Sequence, residues 1–359
     1  MFELIPSGLR IDFIGKTKGF VIASVVVILL GAGSIALHGG LKQGIDFSGG
    51  TLLHLGFGQA VELGLVREAL APVGLEQSIV QHFGGNDEVL IRVAQSNEDM
   101  SYVATQLQDA LKKRLPQQEV EILRVEVVGP QVSADLRRKA LFALFYAVLG
   151  IVIYLSGRFE AKWLISLALA VTIFIVTYPI MQWLPNISPT VLIVVALAVT
   201  TVFSLVLRLH YALAALVAVY HDVLVTVGLL SIFNREFDLQ VVAALLTIIG
   251  YSLNDTIVIF DRVRENMRSR RWDDFPSVVN ESLNQTLSRT ILTSGLTLIV
   301  IVSLLVLGGE VIRGFAFALL VGVIAGTFST LFIASPLLVY WHQRMPRRQA
   351  SGLTVGGAT

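Results

Sequence analysis

An acid and an amide, Asp255 and Asn254, stand inside the apolar run from Leu239 to Phe260. A basic segment follows at once, with Arg262, Arg264, Arg268, Arg270 and Arg271. An acid at the centre of a membrane helix costs about 2.5–3.5 kcal/mol on insertion scales, so its retention points to function. On helical spacing Thr247, Tyr251, Asn254 and Asp255 share one face. A second polar stripe leads into the next apolar run: Gln285, Arg289, Thr293 and Thr297, each four residues after the last. A carboxylate on one helix facing a guanidinium on its neighbour lets a membrane interior hold both charges. If Asp255 alternated between a paired and an unpaired state it would take up and release a proton, because a lone buried charge is costly. The same residues fit two plainer readings. One is a static Asp255–Arg289 pair that locks two helices. The other leaves Arg289 snorkelling at the interface.

His221 and Asp222 add a further polar site, with Thr226 four residues beyond Asp222. Their simplest role is hydrogen bonding between helices. Gly322-x-x-x-Gly326 reads as a close-packing face. No phosphate-cradling loop, nucleophile elbow or metal-ligand cluster is legible, and the chain has no cysteine. The expectation is therefore a protein that is not an enzyme. It takes no cofactor and no nucleic-acid partner, and any energy source is something other than a nucleotide.

The elements that would position these residues follow from hydropathy. Of 359 residues 54% are hydrophobic and 15% charged, whereas soluble domains carry about 25% charged residues. The class is polytopic α-helical membrane protein. Basic residues Arg10, Lys16 and Lys18 precede an apolar run from Phe20 to Leu37, which is longer than a signal-peptide core and reads as an uncleaved first span starting in the cytoplasm. Further spans are expected at 140–155, 163–183, 189–207, 211–233, 239–260, 290–307 and 312–340, with 140–155 borrowing from its flanks to reach the roughly 20 residues required. With eight spans and an internal N-terminus, Arg158, Lys162, Arg208, the 262–271 cluster, Arg344, Arg347 and Arg348 all fall in the cytoplasm, as the positive-inside rule asks. Arg137-Arg138-Lys139 is the exception, beside a long domain where the rule is weaker.

Between the first two spans the composition is that of a soluble domain. Strands are expected at 51–57, 77–83, 89–94 and 119–128, helices at 61–70 and 99–115, and a Gly-Gly-Asn-Asp turn at 84–87. The order βαββαβ is the ferredoxin-like α+β pattern. The expected organisation is then 1–38, cytoplasmic N-terminus and first span; 39–135, periplasmic domain; 136–160, second span and loop; 161–208, an extra helix pair; 209–343, the remaining spans with a cytoplasmic loop at 261–289; and 344–359, a cytoplasmic tail.

On particular motifs the sequence resembles the SecF family, the bacterial membrane subunits that accompany SecD and the Sec translocon. They are Gly44-Ile-Asp-Phe-Ser-Gly-Gly50, Val127-Val-Gly-Pro-Gln-Val132, His221-Asp222-Val223, Gly250–Asn266 and Ser282-Leu-Asn-Gln-Thr-Leu-Ser-Arg289-Thr-Ile-Leu-Thr-Ser-Gly295. The centre Ser252-Leu-Asn-Asp255 is the SecF rather than the SecD version. The resemblance implies an RND-superfamily bundle with six spans and a periplasmic ferredoxin-like domain in the plasma membrane. It implies SecD, the SecYEG channel with SecA, a translocating preprotein and membrane lipid as partners, and the proton-motive force as energy source. It places the family's proton-pathway acid on Asp255 and its arginine on Arg289. Asn254, Tyr251, Asp222, His221, Gln285 and Thr293 are then candidate supporting polar groups. The stretch 161–208 departs from the family pattern and reads as a peripheral, lipid-facing hairpin, with an additional partner surface as the alternative. A passive assembly subunit and an RND-type transporter of small hydrophobic solutes are the competing readings.

Overall fold

The computed structural model describes residues 10–75, 78–93, 105, 108–113, 119–160, 209–269 and 274–344, with isolated residues between 163 and 206. Six helices among the described residues are long and apolar enough to cross a membrane. The chain is a polytopic helical membrane protein. The expected spans at 163–183 and 189–207 fall for the most part outside the described residues.

Helix α1 (Phe13–Leu37) starts where the Asp12 carboxylate accepts from the Gly15 N–H at 2.8 Å, an N-cap on the first free donors. A four-residue helix, α2 (Ile45–Ser48), leads into strand β1 (Gly50–Phe57). Helix α3 (Leu63–Leu70), β2 (Ile79–Phe83), β3 (Gly85–Val93) and β4 (Val120–Val128) follow, with a helical stretch at 108–113. The sheet order is β2-β3-β1-β4 with every neighbouring pair antiparallel. Strands β1 and β2 therefore run parallel with β3 between them. One face of the sheet buries Leu53, Leu55, Val80, Val89 and Ile91 against Val66, Leu70 and Leu111. The hairpin between β2 and β3 is tighter than the expected four-residue turn: Gly84, at φ +80°, makes the reversal and β3 begins at Gly85. Glycine adopts that φ without a Cβ penalty. The rest of the helix expected at 99–115, apart from residue 105, lies outside the described residues.

The membrane helices are α4 (Pro130–Glu160), α5 (His210–Ile232), α6 (Leu239–Ser269), α7 (Phe275–Leu307), α8 (Gly309–Ser329) and, after a π-helical turn at Thr330–Ala334, α9 (Ser335–Gln343). The π turn has a local cause. Pro336 has no N–H for the carbonyl four residues back, and Ser335 N–H reaches the Thr330 carbonyl instead. The span expected at 140–155 does borrow from its flanks, since α4 has 31 residues. The expected loop at 261–289 is corrected to helix over most of its length: α6 runs to Ser269 and α7 begins at Phe275. Polar pairing carries the helices past the apolar stretch. Arg262 binds Glu265 at 2.7 Å, and Asn266 Nδ2 donates to Ser282 Oγ at 2.8 Å.

Helix α5 is the most enclosed of the six spans, while α1 and α7 expose most of their length. α1 and α5 run side by side through a tight crossing. A Cβ on Gly31 would lie 2.6 Å from Gly228 Cα, and Ser34 and Ser231 hydroxyls pair at 2.9 Å one turn away. The segment before α1 is held on α7, where Asn284 and Asn280 accept from the N–H groups of Ile11 and Phe13, each at 2.8 Å.

Candidate functional site

The stretch around Asp255 lies on α6, packed between α5, α7 and α8. Asp255 is 4% exposed. Ser294 and Arg289 both stand on α7, the helix packed alongside. The two charged groups form no ion pair within 4.0 Å, and Arg289 is exposed on the surface of α7. Ser294 also pairs with Thr327 of α8 at 2.8 Å. One turn away, Tyr251 Oη donates to Thr297 Oγ1 at 3.2 Å. Thr293 bonds back to the Arg289 carbonyl at 3.0 Å. The acid thus sits buried beside a polar seam between α6 and α7, with Arg289 exposed on α7.

Three expected members are not part of this seam. Thr247 and Asn254 are exposed on the outer face of α6, because at about 100° per residue both point roughly a quarter turn away from Asp255. Gln285 sits two turns beyond the seam. There its Oε1 accepts from Arg262 Nε at 2.6 Å and Asn266 Nδ2 at 2.9 Å, and its amide donates to Glu281 at 3.1 Å. It ties the polar ends of α6 and α7 together.

A second, more deeply buried cluster centres on Asp222, which is 1% exposed. Its Oδ2 accepts from Ser252 of α6 at 2.6 Å and from Ser329 of α8 at 2.9 Å. Oδ1 meets His221 Nδ1 at 2.9 Å, and the other ring nitrogen meets Ser24 of α1 at 3.0 Å. Thr226 bonds back to the Asp222 carbonyl. The His221–Asp222 pair therefore joins α1, α5, α6 and α8. A turn further along, Thr256 and Thr330 pair at 2.9 Å. The approach of α8 that makes this possible is set by Gly322 and Gly326. A Cβ on Gly326 would lie 2.9 Å from Ser252 Cβ, and one on Gly322 2.1 Å from Ile248 Cδ1. The GxxxG face is thus a close-packing face, against α6. Ser24, Ser252, Ser294 and Ser329 are the site residues that sequence reasoning missed. Serine is common in membrane helices, and only the three-dimensional pairing marks these four.

The comparisons with known proteins bear on this geometry. The family model for "Protein export membrane protein SecD/SecF, C-terminal" matches residues 106–199 and 184–344, and the "SecD/SecF GG Motif" model matches residues 36–61. The protein translocase subunit SecF of Desulfurispirillum indicum is 41% identical over 311 residues, covering 85% of this chain and 83% of its own. That of Calditerrivibrio nitroreducens is 38% identical over 339 residues, covering 94% and 95%. The chain belongs to the SecF family. Among solved structures, SecDF of Thermus thermophilus, described as a translocon-associated membrane protein, superposes with a TM-score of 0.68 at 30% identity. The match covers 96% of this chain and 40% of that one, so a SecF-family chain corresponds to less than half of the longer SecDF chain. The two glycines of the GG motif have a backbone reason here. Gly49 and Gly50 take φ +69° and +112° in turning from α2 into β1.

Proposed function

We propose that this SecF-family chain acts with SecD to couple proton flow to the passage of preproteins across the bacterial plasma membrane, at the SecYEG channel supplied by SecA. Asp255 carries the proton and Arg289 is the charge that competes for it. The observation that carries the reading is a buried acid inside α6 with a neighbouring, unengaged guanidinium, in a chain of this family. Support for the topology comes from charge placement: the N- and C-terminal segments and the α6–α7 connection are cytoplasmic, and the globular domain is periplasmic. That domain is of the ferredoxin-like class. Its sheet order β2-β3-β1-β4 and the crossover of α3 between parallel β1 and β2 support the assignment. Tyr251, Thr293 and Ser294 line the proton seam, and the His221–Asp222 cluster holds the bundle around it. A proton descending about 100 mV releases roughly 2.3 kcal/mol, and each pH unit adds about 1.4 kcal/mol. A few kcal/mol shifts a two-state equilibrium by one to three decades.

The test is preprotein export into inverted membrane vesicles with and without a proton-motive force. Asp255→Asn and Arg289→Met should each abolish the stimulation while the complex with SecD still assembles. Full stimulation in both variants would leave the passive-subunit reading standing.

A further inference from the structure

Helix α6 has no covalent link to the globular domain, whereas α1 and α4 run into it directly. It is nevertheless bonded to the domain at its first residue. The Leu239 N–H donates to Asp46 Oδ2 at 3.1 Å, and Asp46 lies in α2, which leads straight into β1. The residues just before α6 form a parallel bridge with the segment before α2. Phe237 N–H reaches the Lys42 carbonyl at 2.7 Å, and Gly44 N–H reaches the Phe237 carbonyl at 2.9 Å. Gly44 is required by this approach, since a Cβ there would stand 2.8 Å from Asp238 Cβ. Glu236 pairs with Arg92 of β3 and, at 3.5 Å, with Lys42. Arg92 also donates from Nη1 to the Gln43 carbonyl at 3.2 Å. Beneath these polar links Phe47 and Phe237 face each other at 5.9 Å, in one buried cluster with Ala140 and Val242.

This junction joins the start of α6 to both central strands of the sheet. Beside it opens a cleft of about 520 Å3, lined among others by Arg124, Glu126, Arg235 and Gln240. The cleft lies between the sheet and the ends of the membrane helices, and Lys42, Asp46, Arg92 and Glu236 of the junction form part of its wall. The polar links give α6 a route to β1 through Asp46 and to β3 through Arg92, beside the covalent routes of α1 and α4.

We propose that this junction is the linkage through which α6 moves the globular domain, with Asp46, Arg92 and Glu236 as positioning residues. The proposal rests on the reading of Asp255 as the proton-carrying acid. Its test uses the full chain in complex with SecD, in the vesicle assay above, and exploits the absence of native cysteine. Asp46→Ala combined with Arg92→Ala should bring proton-motive stimulation of export down to the unstimulated level while SecD stays bound. Adding Gln43→Cys and Phe237→Cys to that variant and oxidising the pair should restore the stimulation, and a reductant should remove it again. Full stimulation in the open variant overturns the proposal. So does a formed disulfide that restores nothing. Asp255→Asn is run in parallel to separate the two ideas. If it loses stimulation while the open variant keeps it, only the junction falls; if Asp255→Asn keeps full stimulation, the proton reading falls and takes the junction with it.

Discussion

Asp238, the residue before α6, carries a strained carboxyl outside the membrane spans. Burial pushes it above the ordinary carboxylate range, and repulsion from Asp46 and Glu236 adds to the shift, against the N–H donors of Val241 and Gln240. A carboxyl that ionises later in the folded than in the unfolded chain holds its proton more tightly when folded. Its stabilising contribution is complete below the unfolded value and is lost as pH rises through the folded one. Asp238→Asn keeps an oxygen for the Val241 N–H, which now sits 2.8 Å from Oδ1, and never ionises. Thermal unfolding in detergent across the carboxylate range should therefore show the parent chain losing stability relative to the variant as pH rises. Equal slopes for the two would mean that the Asp238 charge costs the fold nothing.

At the scale of elements, the bundle depends on where helices can approach. Gly326 lets α8 come close enough for Ser329 and Ser252 to share Asp222. Gly326→Leu forces a branched side chain into Ser252, which sits 2.9 Å from the first added carbon. The expected cost is about 1–3 kcal/mol from overpacking, read as a loss of stability in detergent; an unchanged unfolding midpoint would show that α8 can slide away freely. Much of this level was legible in the chain. An apolar run of some 20 residues declares a span, and small residues four apart declared the packing face. The ends of helices were not legible. Residues 261–269 and 275–289 are polar yet helical, because Arg262, Asn266, Ser282 and Gln285 satisfy one another across the two chains of the turn. The fourfold spacing from Gln285 to Thr297 therefore ran unbroken through two environments, and Gln285 was grouped with a seam it does not reach. Asp255 and Asp222 announced themselves as acids in apolar runs. The serines that bond Asp222 stand 30 and 107 residues away from it, a pairing no local pattern encodes.

The described helices leave one face of the bundle uncovered. α6 exposes Ala243, Thr247, Gly250 and Asn254 along one line beside the Asp255 seam. The neighbouring α7 exposes Arg289 among Leu292, Leu296 and Ile299. A guanidinium on an apolar helix face is costly against lipid alone, and a line of small residues is the surface on which a second helix packs closely. Both features are accounted for if the SecD partner of the proposed complex covers this side. Gly250 separates the two possibilities. Nothing lies within 4 Å of a Cβ built there. Gly250→Leu should leave the isolated chain at least as stable, because leucine is the better helix former by several tenths of a kcal/mol. In the complex the same side chain would stand between the two bundles. Copurification of SecD in mild detergent should fall sharply for Gly250→Leu, with the variant's own unfolding unchanged. SecD retained at the parental level would mean that this face meets lipid and that the two subunits join elsewhere.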